Sequence, residues 1–232
     1  MLVESLLSDR SQTSLDDAVA LVVGGTGAVG DGITRMLLKC GASVVVPSHD
    51  REQLQALRDR IAPAEQDRLL CVPANASKQI GAQEVRRTID RDFEGPLDLV
   101  VAAVDDEDRG RALKDLKLDA WNRLIDRHLT SHLVLAKTFL PLLQNGGQYL
   151  MIGRTAGPDS PLGTGPLSAI EAAKRALARS LAAEEEKSGP TVTELVLGPL
   201  WTPDQADEHD GGITAEEIGL FVACLMETGQ EG

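Results

Sequence analysis

Six short apolar runs, each followed by a helical pattern, constrain this chain more than any other feature. Residues 18–24 (AVALVVG) are apolar on both faces, as a strand covered on both sides must be. Residues 29–40 then repeat apolar side chains at helical spacing, with Ile33, Met36, Leu37 and Cys40 on one face and Gly41 as a stop. The alternation continues through a strand over 42–47, a charged helix over 51–61, a strand over 69–72, a helix over 78–93 and a strand over 97–104. A polar, acid-rich segment at 105–118 precedes one long helix over 119–143, stopped near Gly146, and a strand over 148–153. A Gly/Pro-rich loop at 156–166 leads to an Ala-rich helix over 167–187, a strand over 191–197 and a last helix over 214–227. Strands alternating with helices require parallel crossovers, so the expected fold is α/β: a three-layer, doubly wound parallel sheet of at least six strands. No repeat or long linker divides the chain, and residues 1–232 read as one Rossmann-type domain.

Composition limits what such a domain can do. The net charge of -13 and pI near 4.7 disfavour nucleic acid and anionic membranes, both of which select basic surface. No apolar stretch approaches the ~20 residues that span a bilayer, and the N-terminus lacks a signal-peptide pattern. Cys40, Cys71 and Cys224 lie far apart, which suits reduced thiols in a cytoplasm rather than a disulfide framework or a metal site.

The first strand runs into GGTGAVG, residues 24–30, in which Gly25, Gly27 and Gly30 match Gly-x-Gly-x-x-Gly. There the first glycine permits a tight turn and the second lets backbone approach a pyrophosphate. The third lets the helix pack on the strand with its positive dipole end towards the phosphates. Candidate dinucleotide contacts are therefore Gly24, Thr26, Gly27, Ala28, Val29 and Gly30. At the end of the second strand no acid stands ready for an NAD ribose. Ser48 and His49 occupy that place, with Asp50 just after, which leans the expectation towards NADP over NAD.

The whole pattern resembles the short-chain dehydrogenase/reductase family. VGGTGAVG (from Val23) is similar to its glycine motif, and LDLVVAAVD (from Leu97) to the strand ending Asn-Asn-Ala-Gly. LDAWNRLIDRHLTSHL (from Leu118) resembles the helix with Asn-Leu-Thr-Gly, and IGRTAG (from Ile152) the serine segment. SAIEAAKRAL (from Ser168) resembles the Tyr-x-x-x-Lys helix, and LGPLWT (from Leu197) the Pro-Gly-x-x-x-Thr cofactor loop, which adds Thr202 to the candidate cofactor contacts. The resemblance implies an NAD(P)-dependent oxidoreductase that pairs through two helices, so a homo-oligomer is expected.

The departures are specific. Lys174 survives, but Ile170 stands where the family's proton-donating tyrosine belongs, and the serine position falls on Gly153 or Arg154. His128 replaces the asparagine, and the Asn-Asn-Ala-Gly turn reads Ala102-Ala103-Val104-Asp105. The single tyrosine, Tyr149, lies early in its strand, away from the carboxyl ends where such sheets carry their sites. A replacement set for the chemistry is Lys174, His128 and Thr155, which with Arg154 can form a polar cluster for a small carbonyl or anionic ligand. The acids at 105–108 crowd the loop beside the cofactor crevice, the lid shrinks to 202–212, and the family's seventh strand is not expected. The second function class is a cofactor-sensing or structural protein without catalysis.

Overall fold

The computed structural model describes residues 14–104, 112–155, 165–185, 189–198 and 212–230. Six parallel strands, β1 (Val19–Val23), β2 (Ser43–Pro47), β3 (Leu69–Val72), β4 (Leu97–Ala102), β5 (Leu143–Arg154) and β6 (Thr191–Leu197), form one sheet in the order β3-β2-β1-β4-β5-β6. The order reverses between β1 and β4, so a crevice opens beyond their carboxyl ends, at the end of the glycine turn.

Each face of the sheet carries its own core. Helices α1 (Ala28–Lys39) and α2 (Arg51–Arg60) cover one side through Ile33, Leu37, Leu54 and Leu57. The last helix, α7 (Ala215–Gln230), joins them through Ile218, Val222 and Met226. On the other side, α3 (Gln79–Asp92), α5 (Ser131–Phe139) and α6 (Gly165–Glu185) bury Val85, Ile89, Leu135, Phe139 and Ala178. The doubly wound, three-layer architecture read from the sequence is therefore the observed one.

The expected helix over 119–143 is not continuous. It comprises α4 (Leu118–Leu124), a π-helical turn Ile125–Thr130, α5, and a 3-10 turn Leu140–Leu142. Pro141, in the first turn of that 3-10 segment, has no N–H to give back to residue 137, so the α-helix ends at Phe139 and β5 begins at Leu143. In the π turn Ser131 Oγ donates to the Arg127 carbonyl at 2.6 Å, a side-chain bond that competes with the regular ladder. The extra residue turns His128 fully inward. The 3-10 turn Pro63–Arg68, between α2 and β3, has no counterpart in the sequence reading.

Tyr149 pairs in register with Val100 and Val192, mid-sheet, and is wholly buried in the second core. Burial pushes its phenol far above the ordinary range, and its hydroxyl finds no hydrogen-bond partner among the described residues. An unpaired buried hydroxyl destabilises a fold, so Tyr149→Phe should leave stability unchanged or raise it by about 1 kcal/mol in urea unfolding. A clear loss would show that the hydroxyl has a partner.

Candidate functional site: a glycine turn and a buried lysine

The glycine turn is built as an anion cradle. The left-handed backbone falls on Gly24 (φ 87°) rather than on the first glycine of the motif, Gly25, and a side chain there would strike the Ala103 carbonyl just after β4. A Cβ on Gly30 would strike the Gly24 carbonyl, so only glycine lets α1 start this close to β1. Gly27 is different: its missing side chain would meet only the Gly24 carbonyl, at 3.3 Å, and the rest of that space is open. Gly27 is also the N-cap of α1 and supplies no side-chain cap. The amides of Ala28, Val29 and Gly30 thus open the helix without a capping acceptor, where its dipole is positive. Gly27 and Ala28 are exposed and Val29 is half-buried, so the cradle faces solvent. Asp31, the acid of the first turn, is engaged by Arg35 at 2.9 Å and Arg60 at 2.6 Å. These residues fit a dinucleotide pyrophosphate.

Next to this turn, Thr26 Oγ1 donates to Gln53 Oε1 at 2.9 Å, tying the loop to α2. Asp50 caps α2, its Oδ1 accepting from the amides of Glu52 and Gln53. Ser48 Oγ accepts from the Asp50 amide at 3.2 Å, and His49 is exposed. The acid that follows β2 therefore caps α2 through Oδ1.

At the other end of the crevice, Lys174 is not a solvated lysine. It is 1% exposed, with Nζ 3.0 Å from Glu171 Oε1 and donating to the Ile152 carbonyl at 3.2 Å. Glu171 Oε2 accepts from the Arg154 amide at 3.0 Å. One carboxylate thus joins the surviving lysine to the end of β5, where the serine segment lies. Ile170, the residue before Glu171, is buried.

A second carboxylate approaches from β6. A side chain on Gly153 would lie 2.7 Å from Glu194 Oε1 and 3.4 Å from Glu171 Oε2, so the two acids fill the space a serine would use. Glu194 sits 3.7 Å from Arg175 on α6. Burial raises its pKa, Arg175 opposes the rise, and Glu171 adds to it.

His132, one helical turn beyond His128, completes the cluster. Burial, the Lys174 charge and His128 hold it neutral, with a pKa of about 3 against some support from the Val104 backbone. In the unfolded chain an imidazole titrates near its ordinary value, so the unfolded state takes up a proton first as pH falls. His132 stabilises the fold fully above the unfolded pKa, and that contribution is lost as pH falls towards 3. His132 should therefore add about 1.4 kcal/mol per pH unit to the decline of the unfolding free energy across that window, and His132→Leu should remove that part of the slope. Parallel curves for the two proteins would refute this assignment.

The structure brings Lys174, His128 and His132 together, while Thr155 lies exposed at the end of β5 with its amide on the Leu197 carbonyl at 2.9 Å. His128 is interior rather than open to the crevice. Thr202, the acids at 105–108, the loop at 156–164 and the lid at 202–211 lie outside the described residues. The sequence reading missed Glu171, Glu194, Arg175 and His132. The available signal was Glu171 three residues before Lys174, and His132 four after His128, each pair on one helix face.

Among the described residues there is no cluster of three or more His, Cys, Asp or Glu side chains fit to hold a metal, and no helix long and apolar enough to cross a membrane. All three cysteines are free thiols.

Comparison with known proteins agrees with this geometry. The short chain dehydrogenase family model matches residues 18–211. An uncharacterized oxidoreductase of Staphylococcus aureus (strain MRSA252) is 28% identical over 192 residues, covering 82% of this chain and 81% of the relative. A Staphylococcus epidermidis oxidoreductase, also uncharacterized, is 24% identical over 190 residues, covering 81% of this chain and 80% of its own. Among solved structures, a short-chain dehydrogenase/reductase from Serratia marcescens superposes with a TM-score of 0.80 at 23% identity, covering 91% of each chain. A short chain dehydrogenase from Burkholderia cenocepacia in complex with NADP gives a TM-score of 0.79 at 22% identity, again over 91% of each chain. The family match spans most of the molecule, and the chain belongs to the short-chain dehydrogenase family. It is an oxidoreductase-like protein of a family that typically binds NAD(P).

Proposed function

We propose that this protein binds a dinucleotide across the end of β1, and that any oxidoreductase chemistry it performs uses a non-standard set of residues. The observation that carries the binding is the uncapped start of α1 at Gly27, Ala28, Val29 and Gly30, beside open space at Gly27. When bound, NAD(P) supplies or accepts the hydride. The chain's own part is to hold it through Gly24, Thr26, Gly27 and the α1 amides, with Thr202 as a further contact carried over from the family resemblance. Ser48 and His49 favour the phosphorylated form, in keeping with the engagement of Asp50 Oδ1 in the cap of α2. The solved Burkholderia relative carries NADP, which accords with that preference.

Without a tyrosine at position 170, the reacting oxygen of a small carbonyl or anionic ligand has Lys174 as its nearest cation, with His128 and Thr155 as the remaining candidates. General acid-base help is typically worth ~10²–10⁴-fold in rate, so turnover by this set is expected to be slow. Ile170, the buried residue before Glu171, favours a second reading in which the protein senses or carries the cofactor without catalysis. A homo-oligomer through α6 is part of the proposal, supported by the exposed small residues Ala169, Ala172 and Ala176 on its outer face. A cytoplasmic setting accords with the three free thiols.

Calorimetric titration with NADPH and NADH tests the preference. NADPH should bind at least about tenfold more tightly, a difference of about 1.4 kcal/mol, and His49→Asp should narrow or reverse it. Tighter NADH binding by the unaltered protein would refute the NADP assignment. Turnover of either reduced cofactor with simple carbonyl compounds, abolished by Lys174→Met, separates the catalytic reading from the sensing one.

A further inference from the structure

We propose that Glu171 is a positioning residue for this site: it fixes the place and the charge of Lys174 where the dinucleotide's sugar and the reacting group must come. The inference rests on the dinucleotide-binding reading above and adds a residue with no counterpart in the Tyr-x-x-x-Lys pattern.

Both carboxylate oxygens of Glu171 are used, Oε1 on Lys174 Nζ at 3.0 Å and Oε2 on the Arg154 amide at 3.0 Å, and its side chain is 5% exposed. An ammonium has three N–H donors. Glu171 and the Ile152 carbonyl take two of them, which leaves one direction in which Lys174 can donate. A lysine otherwise loses much rotamer freedom when it engages a ligand, and here that ordering has already been done by the fold.

The surroundings show why the charge depends on Glu171. From α5 the group that feels the Lys174 charge is His132, itself held neutral, and His128 of the π turn acts on His132 in turn. From the same helix the preceding turn offers Ile170, which has no charge. From β6 comes Glu194, already facing Arg175 at 3.7 Å. From β5 come the Ile152 carbonyl and the Arg154 amide. Glu171 is thus the carboxylate in direct contact with a buried ammonium, and a buried charge without such a partner neutralises.

A purely structural tie between α6 and β5 would hold the Arg154 amide whatever the state of Lys174, and Glu171→Gln keeps that acceptor while removing the charge. The test follows the side-chain nitrogen of Lys174 by NMR against pH in the dinucleotide-free protein, together with the affinity for NADPH over the same range. Glu171→Gln, which removes the negative charge in contact with Nζ, should lower the Lys174 midpoint. It should also make NADPH affinity fall off at a correspondingly lower pH. Glu171→Asp, which keeps the charge, should shift both by clearly less. An unchanged Lys174 midpoint in Glu171→Gln, or equal shifts from both variants, would overturn the proposal. Failure of the unaltered protein to bind NADPH would refute the dinucleotide reading instead, and the NMR arm would still decide the role of Glu171.

Discussion

Lys174→Met is expected to lower the unfolding free energy by about 3–5 kcal/mol, among the largest losses a single substitution in this chain can cause. Methionine fills nearly the same volume, so the loss does not come from a cavity. It comes from Glu171, 4% exposed and left with only the Arg154 amide in place of a cation. Glu171 then has to take up a proton or remain as an uncompensated buried charge, and either state is costly. The double variant Lys174→Met with Glu171→Leu isolates the origin of the effect. Replacing both partners of a buried ion pair by apolar groups is often close to neutral, so it should recover much of the loss. The Arg154 amide would lose its acceptor, leaving a residual penalty of about 1–3 kcal/mol. Urea unfolding of the three proteins measures this directly. Equal losses for the single and double variants would mean that shape rather than charge makes Lys174 important.

Gly30→Ala addresses the opposite end of the crevice. The added methyl would strike the Gly24 carbonyl and the Gly25 backbone, neither of which is a flexible side-chain end. The start of α1 must therefore move off β1, at a cost of about 1–3 kcal/mol for overpacking. The amides of Ala28 and Val29 move with it, so dinucleotide affinity should drop by at least about tenfold. Gly95→Ala is the control. Its φ of 117° is equally unfavourable for a side chain, but nothing lies within 4 Å, so its modest stability loss should leave binding untouched. Comparable binding losses in the two variants would show that the effect is general destabilisation.

The layout of the fold could be read from the alternation of apolar runs because both faces of this sheet are buried. β3 and β6 have the bounds expected from the sequence, β1 and α1 differ from it by a residue at each end, and β2 by one residue at its start. The failure at the long helix has a local cause. Periodicity carried the helix through Pro141, whereas the missing N–H there ends α5 and hands the chain to β5 sooner. The glycine turn was identified correctly as a motif, but which glycine takes the left-handed backbone depends on contact with the residue just after β4, a strand far away in sequence.

The polar interior was mostly hidden. Glu171 and His132 are polar residues on helices, and such residues are usually solvated. What buries them is the approach of α6 and the π turn to the end of β5, a relation no local window contains. Glu194 is a sharper case. An acid in a strand reads as a residue of the outward face, yet it points at Gly153 because glycine there leaves room for it. Glu171 and Glu194 both reach the space beside Gly153, although they stand 18 and 41 residues from it along the chain.

The most direct test of this account is a calorimetric titration of the purified protein with NADPH, NADP⁺, NADH and NAD⁺, repeated with Gly30→Ala. The uncapped amides of α1 predict a single saturable site, tightest for NADPH and weakened by the substitution. No saturable binding of any of the four at millimolar concentration would contradict it, and the glycine turn would then be a tight strand-to-helix connection and nothing more.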